Sequence, residues 1–244
     1  MADLHERPVL FLDFDGTVSR ADVVDAILER LGEPGWEQLE SDWKAGLMGS
    51  RQCLAGQMAF VRATPSVLNA VVDGIEFDPG LSALLDVAIR RDLPVHIVSD
   101  GFDYCIHRFL DRLPETRVCA LRGRVHASHL EPSGGDRWRT AFPHFEMPCD
   151  HGCATCKPGV MALVNATGAP AIFVGDGLSD RYAALAADIV FAKTSLAAHC
   201  EREGIPFVAY RDLADVAAAI ESGTVLDRRS ADARASRESG AGAA

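Results

Sequence analysis

Three short apolar runs in this chain each close on a cluster of polar residues able to do chemistry. Residues 9–12 lead into Asp13-Phe14-Asp15-Gly16-Thr17, residues 95–98 into Ser99-Asp100-Gly101, and residues 171–174 into Gly175-Asp176-Gly177-Leu178-Ser179-Asp180. Lys157, followed by Pro158, opens a further helical pattern. Brought together, Asp13, Asp15, Asp176 and Asp180 would repel one another or take up protons. A hard divalent cation with oxygen ligands resolves that conflict, and Mg²⁺ is the usual choice beside phosphate. Lys157 and Ser99 add a charged donor and a hydroxyl. The expected phosphate-facing set is Gly16, Thr17, Ser99, Asp100, Gly101 and Lys157, with the Gly16 and Thr17 backbone N–H groups turned to the anion. Carboxylates, Mg²⁺, a lysine and a hydroxyl fit phosphoryl transfer, where positioning and charge neutralisation do most of the catalysis.

The elements that must position these groups read as follows. Residues 9–13, 95–98, 171–174 and 189–191 are buried strands. Helical patterns cover 21–31, 36–45, 51–62, 66–72, 80–91, 102–113, 158–166, 181–187, 196–203 and 211–221. Residues 117–130 read as short strands around Gly123, and 133–150 as loop. Strands alternating with helices predict an α/β fold: a Rossmann-like, doubly wound parallel sheet with helices on both faces. Ligands of such sheets bind beyond the carboxyl ends of the strands, where all three clusters fall. No strand is expected between about 18 and 77. The expected organisation is therefore a core of 1–18 and 78–227, an all-helical cap of 19–77 inserted after the first strand, and a disordered tail of 228–244, rich in Ala, Ser, Arg and Gly.

The formal net charge is −11, and 48% of the 244 residues are hydrophobic. The tail holds four Arg against one Asp and one Glu, so the body carries −13. A body so acidic repels nucleic acid and anionic lipid, and an anionic substrate needs a local cation to receive it. No apolar run approaches the roughly 18 residues of a membrane span, and residues 9–12 are too few for a secretory core, so a cytoplasmic protein is expected. Seven cysteines, four of them scattered, argue against a disulfide framework. Cys149, Cys153 and Cys156 have metal-like spacing, and His144 or His151 would complete a tetrahedral structural Zn²⁺ site; reduced thiols in a buried loop are the alternative. Monomer and homodimer both remain open.

Asp13-x-Asp15-Gly16-Thr17, Ser99, Lys157 and Gly175-Asp176-x3-Asp180 resemble, in order and spacing, the motifs of the haloacid dehalogenase superfamily of phosphatases. The helical insertion resembles that superfamily's cap. The nearest branch is the phosphoserine phosphatase-like enzymes. Within it, Phe102-Asp103, the Cys-x3-Cys-x2-Cys-Lys-Pro run and the Ala-rich stretch after Asp180 are most similar to the 2-hydroxy-3-keto-5-methylthiopentenyl-1-phosphate phosphatases. The resemblance covers about residues 8–221. It implies that Asp13 is the nucleophile and that Asp15 is the acid and base. It implies that Asp13, Asp176 and the Asp15 backbone carbonyl hold Mg²⁺, with Asp180 ordering the metal's waters or Lys157. Ser99 and Lys157 would hold the phosphoryl oxygens. The implied substrate is a small phosphorylated metabolite.

Each of these residues also has a plainer reading. Asp-x-Asp-Gly-Thr alone is a good strand exit. Asp22 is either a substrate contact in the cap or part of a capping box with Ser19. Gln57 stands where phosphoserine phosphatases place a carboxylate-binding Arg; Gln cannot supply that charged pair. This favours a sugar, keto-polyol or enol phosphate over phosphoserine. A phosphotransferase or mutase, or a protein that only accepts or binds phosphate, would use the same fold. Asp15 speaks against the last, because a stable phospho-acceptor needs no second carboxylate two residues on. Asp100 adds negative charge beside a phosphate site with no evident reason. His96 reads as a core or edge residue, and Trp36 and Trp43 as cap packing, with one of them able to line the substrate pocket.

Overall fold

The computed structural model describes residues 7–145 and 151–223. Its sheet has seven strands in the order β4-β3-β2-β1-β5-β6-β7. They are β1 (Val9–Leu12), β2 (Val95–Phe102), β3 (Val125–Gly134), β4 (Arg137–Ala141), β5 (Ala171–Gly175), β6 (Ile189–Ala192) and β7 (Val208–Ala209). All neighbours pair in parallel except β3 and β4, which form an antiparallel hairpin at one edge. The chain winds outward from β1 in both directions, so the switch point lies at β1 between β2 and β5. There Leu12 pairs with Ile97 on one side and Val174 on the other, which brings the ends of the three strands level.

The sheet is buried on both faces, as its near-continuous apolar strands require. Alternation along each strand divides the core. Leu10, Leu12, Val95, Ile97, Ile172, Val174 and Phe191 face one layer. Val9, Phe11, Val98, Phe173, Val190 and Ala192 face the other. The second layer is closed by α8 (Lys157–Val164), α9 (Arg181–Ala186) and α10 (Thr194–Glu203). The first is closed by α5 (Leu81–Arg90), α6 (Asp103–Leu110) and α11 (Leu213–Ser222).

Between β1 and α5 lie only helices: α1 (Val23–Leu31), α2 (Glu37–Lys44), α3 (Ser50–Met58) and α4 (Pro65–Asp73). Val23, Val24, Ile27 and Leu28 of α1 and Leu68, Val71 and Val72 of α4 join the same apolar cluster as Ile106, Phe109 and Leu110 of α6. The segment leaves and returns through a narrow neck. Ser19 and Phe77 form an antiparallel bridge, Asp78 N–H donates to the Val18 carbonyl (2.9 Å), and Arg20 pairs with Glu76 (3.0 Å).

Three local readings need correction. Residues 115–121 form a helix, α7 (Glu115–Leu121), where short strands are expected from 117. Residues 137–141, within the expected loop, are the edge strand β4. Strand β2 runs on through Ser99-Asp100-Gly101 to Phe102. The tail of 228–244 lies outside the described residues. No described helix is long and apolar enough to cross a membrane.

Candidate active site

Asp13 follows β1 directly, and its N–H donates to the Val174 carbonyl of β5 (2.9 Å), which fixes the strand exit. Its carboxylate accepts from Lys157 Nζ at 2.7 Å. The same ammonium reaches Asp180 Oδ1 at 2.5 Å. The other Asp180 oxygen accepts the N–H groups of Asp176 (3.0 Å) and Gly177 (3.1 Å). Both Asp180 oxygens are thus engaged, and its task is to hold Lys157 and shape the turn after β5. Lys157, Asp180 and Asp13 are all buried. Burial works against charge on Lys157. The carboxylates of Asp13, Asp180 and Asp100 outweigh it and hold the ammonium well above its ordinary pKa.

One carboxylate oxygen each from Asp13, Asp176 and Asp180 lies within 4.8 Å of the others. Three carboxylates against one lysine leave an excess of negative charge in a poorly solvated place. Burial, then Asp180, push the Asp13 carboxyl well above the usual range, and Asp176 is pushed to about 6 by burial and Asp180. An all-oxygen donor set with surplus negative charge fits a hard divalent cation. It is the only such group of three or more acidic, His or Cys side chains among the described residues. Gly16 lies against it with φ +75°; a Cβ there would come within 2.4 Å of Asp176 Oδ2.

Asp15 points from the same turn into a cavity of about 360 Å³. Its Oδ1 accepts from the Val23 N–H at the start of α1 (2.8 Å), so the turn after β1 and the helical segment share this contact. Burial, then Asp22 and Asp13, push its carboxyl well above the ordinary value, which favours its protonated form. Asp13, Asp15, Gly16, Ser99, Asp100, Gly101 and Asp176 line the cavity from the sheet side; Asp22, Asp25, Glu40, Trp43 and Gln57 are among those lining it from the helical segment.

Of the other expected site residues, Ser99 is buried and its Oγ accepts the Gly101 N–H (2.9 Å). The Thr17 amide is not turned to an anion: it donates to the Phe14 carbonyl (3.2 Å), while Thr17 Oγ1 donates to Asp176 Oδ1 (3.3 Å). Tyr210, unremarked in the sequence, donates to the Gly175 carbonyl (3.2 Å) and lies 3.4 Å from Thr17 Oγ1, bracing the turn from below. Only its place in the fold reveals this, because a Tyr after a two-residue strand carries no motif. Asp22 is itself the N-cap of α1, accepting from the Asp25 N–H (2.9 Å), and also lines the cavity. Ser19 instead donates to the Ala21 carbonyl (2.8 Å), so the cap is Asp22 itself and Ser19 does not cap α1. Gln57 is buried and donates to Glu40 (3.0 Å). Trp36 packs on the core and Trp43 lines the cavity. His96 is half-buried against His126 (3.1 Å).

Cys149 lies outside the described residues. His144 sits beside His126 (ring centroids 5.8 Å) and His151 stacks on Tyr182 (3.8 Å). Among the described residues, Cys153 and Cys156 do not join either His in a metal-ligand group.

Comparison with known proteins agrees with this geometry. A family model described as haloacid dehalogenase-like hydrolase matches residues 10–185, and the chain belongs to that family. Its site is that of a phosphoric monoester hydrolase. Among curated relatives, the 2-hydroxy-3-keto-5-methylthiopentenyl-1-phosphate phosphatase of Geobacillus kaustophilus (strain HTA426) is 27% identical over 223 residues, covering 89% of this chain and 97% of that protein. The enzyme of the same name from Geobacillus thermodenitrificans (strain NG80-2) is 24% identical, over 87% and 95%. Among solved structures, a phospho-aspartyl intermediate analogue of phosphoserine phosphatase superposes with a TM-score of 0.65 at 17% identity, covering 86% of this chain and 97% of that one. A haloacid dehalogenase family hydrolase from Salmonella enterica gives the same score at 21% identity, over 86% and 70%. At such identities the likeness is one of fold.

Proposed function

We propose that this hydrolase is a Mg²⁺-dependent phosphatase of a small phosphorylated metabolite, a sugar, keto-polyol or enol phosphate, working through an aspartyl-phosphate. The observation that carries the reading is the pairing of Lys157 with Asp13, which lines the cavity beside Asp15, a carboxyl that burial pushes well above its ordinary value. Asp13 attacks phosphorus, and its new P–O bond forms as the ester P–O bond breaks. Asp15 gives its proton to the departing alcohol oxygen. The Asp15 carboxylate then takes a proton from water, which attacks the aspartyl-phosphate and releases phosphate and free Asp13. Lys157 and Ser99 hold the phosphoryl oxygens. Asp13, Asp176 and the Asp15 backbone carbonyl would hold Mg²⁺, which neutralises phosphoryl charge when bound. Asp180 keeps Lys157 in line.

In this reading residues 19–77 are a cap, hinged at the Ser19–Phe77 neck, that excludes water and selects the alcohol half of the substrate. Asp22, Asp25, Glu40 and Gln57 on its wall offer a substrate carboxylate no cationic partner. Arg20, the basic residue of the lining, is paired with Glu76. That supports a substrate without a carboxylate, and the names of the curated relatives support a keto-bearing phosphate ester. The test is a screen of phosphorylated metabolites with free-phosphate readout, including phosphoserine, sugar phosphates and the enol phosphates. Sugar, keto-polyol or enol phosphates should be turned over well ahead of phosphoserine, and Asp13→Asn should abolish release from every substrate. Release by Asp13→Asn at the wild-type rate refutes the nucleophile; a preference for phosphoserine refutes the substrate class.

A further inference from the structure

Asp100, the residue the sequence leaves without a reason, is the hub of a contact among three elements. It lies in β2 immediately after Ser99, and its carboxylate turns to two partners. Oδ2 accepts from the Ser50 hydroxyl at 2.5 Å, and Oδ1 accepts from the Thr155 N–H at 3.0 Å. Ser50 is the first residue of α3, in the helical segment, and its Oγ also accepts from the Ala154 N–H (2.9 Å). The two backbones are close enough to touch. Arg51 N–H donates to the Gly152 carbonyl (3.2 Å), and a Cβ on Gly49 would come within 2.3 Å of that oxygen. Ala154 and Thr155 are buried and lead directly into Lys157.

We propose that Asp100 is a positioning residue that clamps the N-terminus of α3 to the 152–156 segment, so that closing the helical layer over the cavity and placing Lys157 against Asp13 are one event. The proposal rests on the phosphatase reading for its kinetic test, and on geometry alone for its second test. A carboxylate suits this place because it accepts on both oxygens at once, from a hydroxyl and from a backbone amide. A glycine or alanine there leaves the Thr155 N–H and the Ser50 hydroxyl without their acceptor, and only the Ala154–Ser50 and Arg51–Gly152 contacts then tie α3 to the lysine's approach. The negative charge is taken up by these donors and by Lys157.

The test compares Asp100→Ala, Asp100→Asn, Ser50→Ala and the Asp100→Ala/Ser50→Ala double variant, with p-nitrophenyl phosphate as substrate. A misplacement of reacting groups by about 1 Å costs on the order of 100-fold, so Asp100→Ala should lose about that much in kcat/KM, through kcat as well as KM. Ser50→Ala, which loosens α3 and leaves the Thr155 bond, should act mainly on KM. Asp100→Asn keeps an acceptor for Thr155 and meets Ser50 with its amide, and should recover most of the loss. Residues in one network are not additive, so the double variant should be no worse than Asp100→Ala. The second arm is hydrogen exchange with and without inorganic phosphate. In the wild type, peptides covering 49–58 and 151–157 should gain protection together; in Ser50→Ala that coupling should vanish.

Full activity in Asp100→Ala, or strictly additive losses, overturns the clamp. So does an Asp100→Asn as impaired as Asp100→Ala, because the charge itself would then act at the reacting centre. If the wild type releases no phosphate from any ester, the phosphatase reading fails, and hydrogen exchange alone decides the clamp. If Asp100→Ala does not fold, Ser50→Ala and Asp100→Asn carry the comparison.

Discussion

Two carboxylates two residues apart, Asp13 and Asp15, are given different work by their surroundings. Asp13 faces a buried ammonium at 2.7 Å, while Asp15 meets a helix N–H, and burial, then Asp22 and Asp13, push its carboxyl well above the ordinary value. Removing the proton carrier should therefore separate the two halves of the reaction. With p-nitrophenyl phosphate the leaving group needs no proton, so Asp15→Asn should still phosphorylate Asp13 and release a burst of one nitrophenolate per enzyme. It should then stall, because no base activates water, and steady turnover should fall by about 10²–10⁴-fold. On an alkyl phosphate no burst should appear. Rapid-quench kinetics reads both outcomes, and steady turnover without a burst would refute the role. Asp22 makes a separate prediction about stability. Burial, then Asp25, raise its carboxyl to about 6. The folded state holds that proton to higher pH than the unfolded chain does, so stability falls as pH rises from about 4 to about 6 and stays lower above. Asp22→Asn keeps the N-cap acceptor and loses the charge. It should be more stable than wild type at pH 8, with the gain shrinking toward pH 4; urea unfolding at the two pH values measures it.

At the scale of elements, what the sequence made legible follows from how local each signal is. Strands β1, β5 and β6 are buried on both faces, so their apolar runs are unbroken, and the polar clusters mark where they end. Helices α1 and α5 bury one stripe each and read clearly from their spacing. Strand β4 was hidden because it is an edge strand packed on one side only: Arg137, Arg139 and Ala141 are exposed while Trp138 and Thr140 are half-buried, and a stretch so polar and aromatic resembles loop. What holds it is pairing with β3 and the Trp138 indole donating to the Ala63 carbonyl (2.8 Å), neither of them local. Helix α7 was missed for the converse reason. Its Thr and Val suggest strand, but Pro114 starts a helix and Arg117 pairs with Asp86 of α5. The polar clusters at the strand ends were legible because they are contiguous; the contacts of Asp100 were not, because Ser50 and Thr155 lie 50 and 55 residues away. The turn after β1 shows how tightly one element is specified. Gly16→Ala places a Cβ at φ +75°, within 2.4 Å of Asp176 Oδ2. The left-handed backbone costs about 1–2 kcal/mol, a tolerable loss. The displaced carboxylate is the larger effect, so activity should fall by about 100-fold or more while the unfolding transition remains cooperative. Parallel kinetics and thermal melts check this, and an active Gly16→Ala would show the turn to be more forgiving than its geometry.

For the molecule as a whole, two charge effects have to be told apart. The chain carries −11 overall, so any added salt relieves self-repulsion and raises stability somewhat. The cluster of Asp13, Asp176 and Asp180 concentrates part of that charge in one buried place, where mobile ions screen poorly and only a bound cation neutralises it. A ligand that binds the folded state alone stabilises it by mass action, by about 2.7 kcal/mol at 100 times its Kd. For a chain of this size that corresponds to a rise in Tm of about 5–10 °C. Mg²⁺ added to EDTA-treated protein should therefore raise Tm by several degrees more than Na⁺ at equal ionic strength. In Asp176→Asn one of the crowded carboxylates is gone. The metal-free variant should melt higher than metal-free wild type, because a repulsion is lost, yet Mg²⁺ should then do no more than Na⁺. The two shifts have opposite signs in the same variant, so a general loss of structure cannot imitate them. An equal response of wild type and variant to Mg²⁺ would mean that the ion acts only on the overall charge, and that the carboxylates at the strand ends are not where it binds.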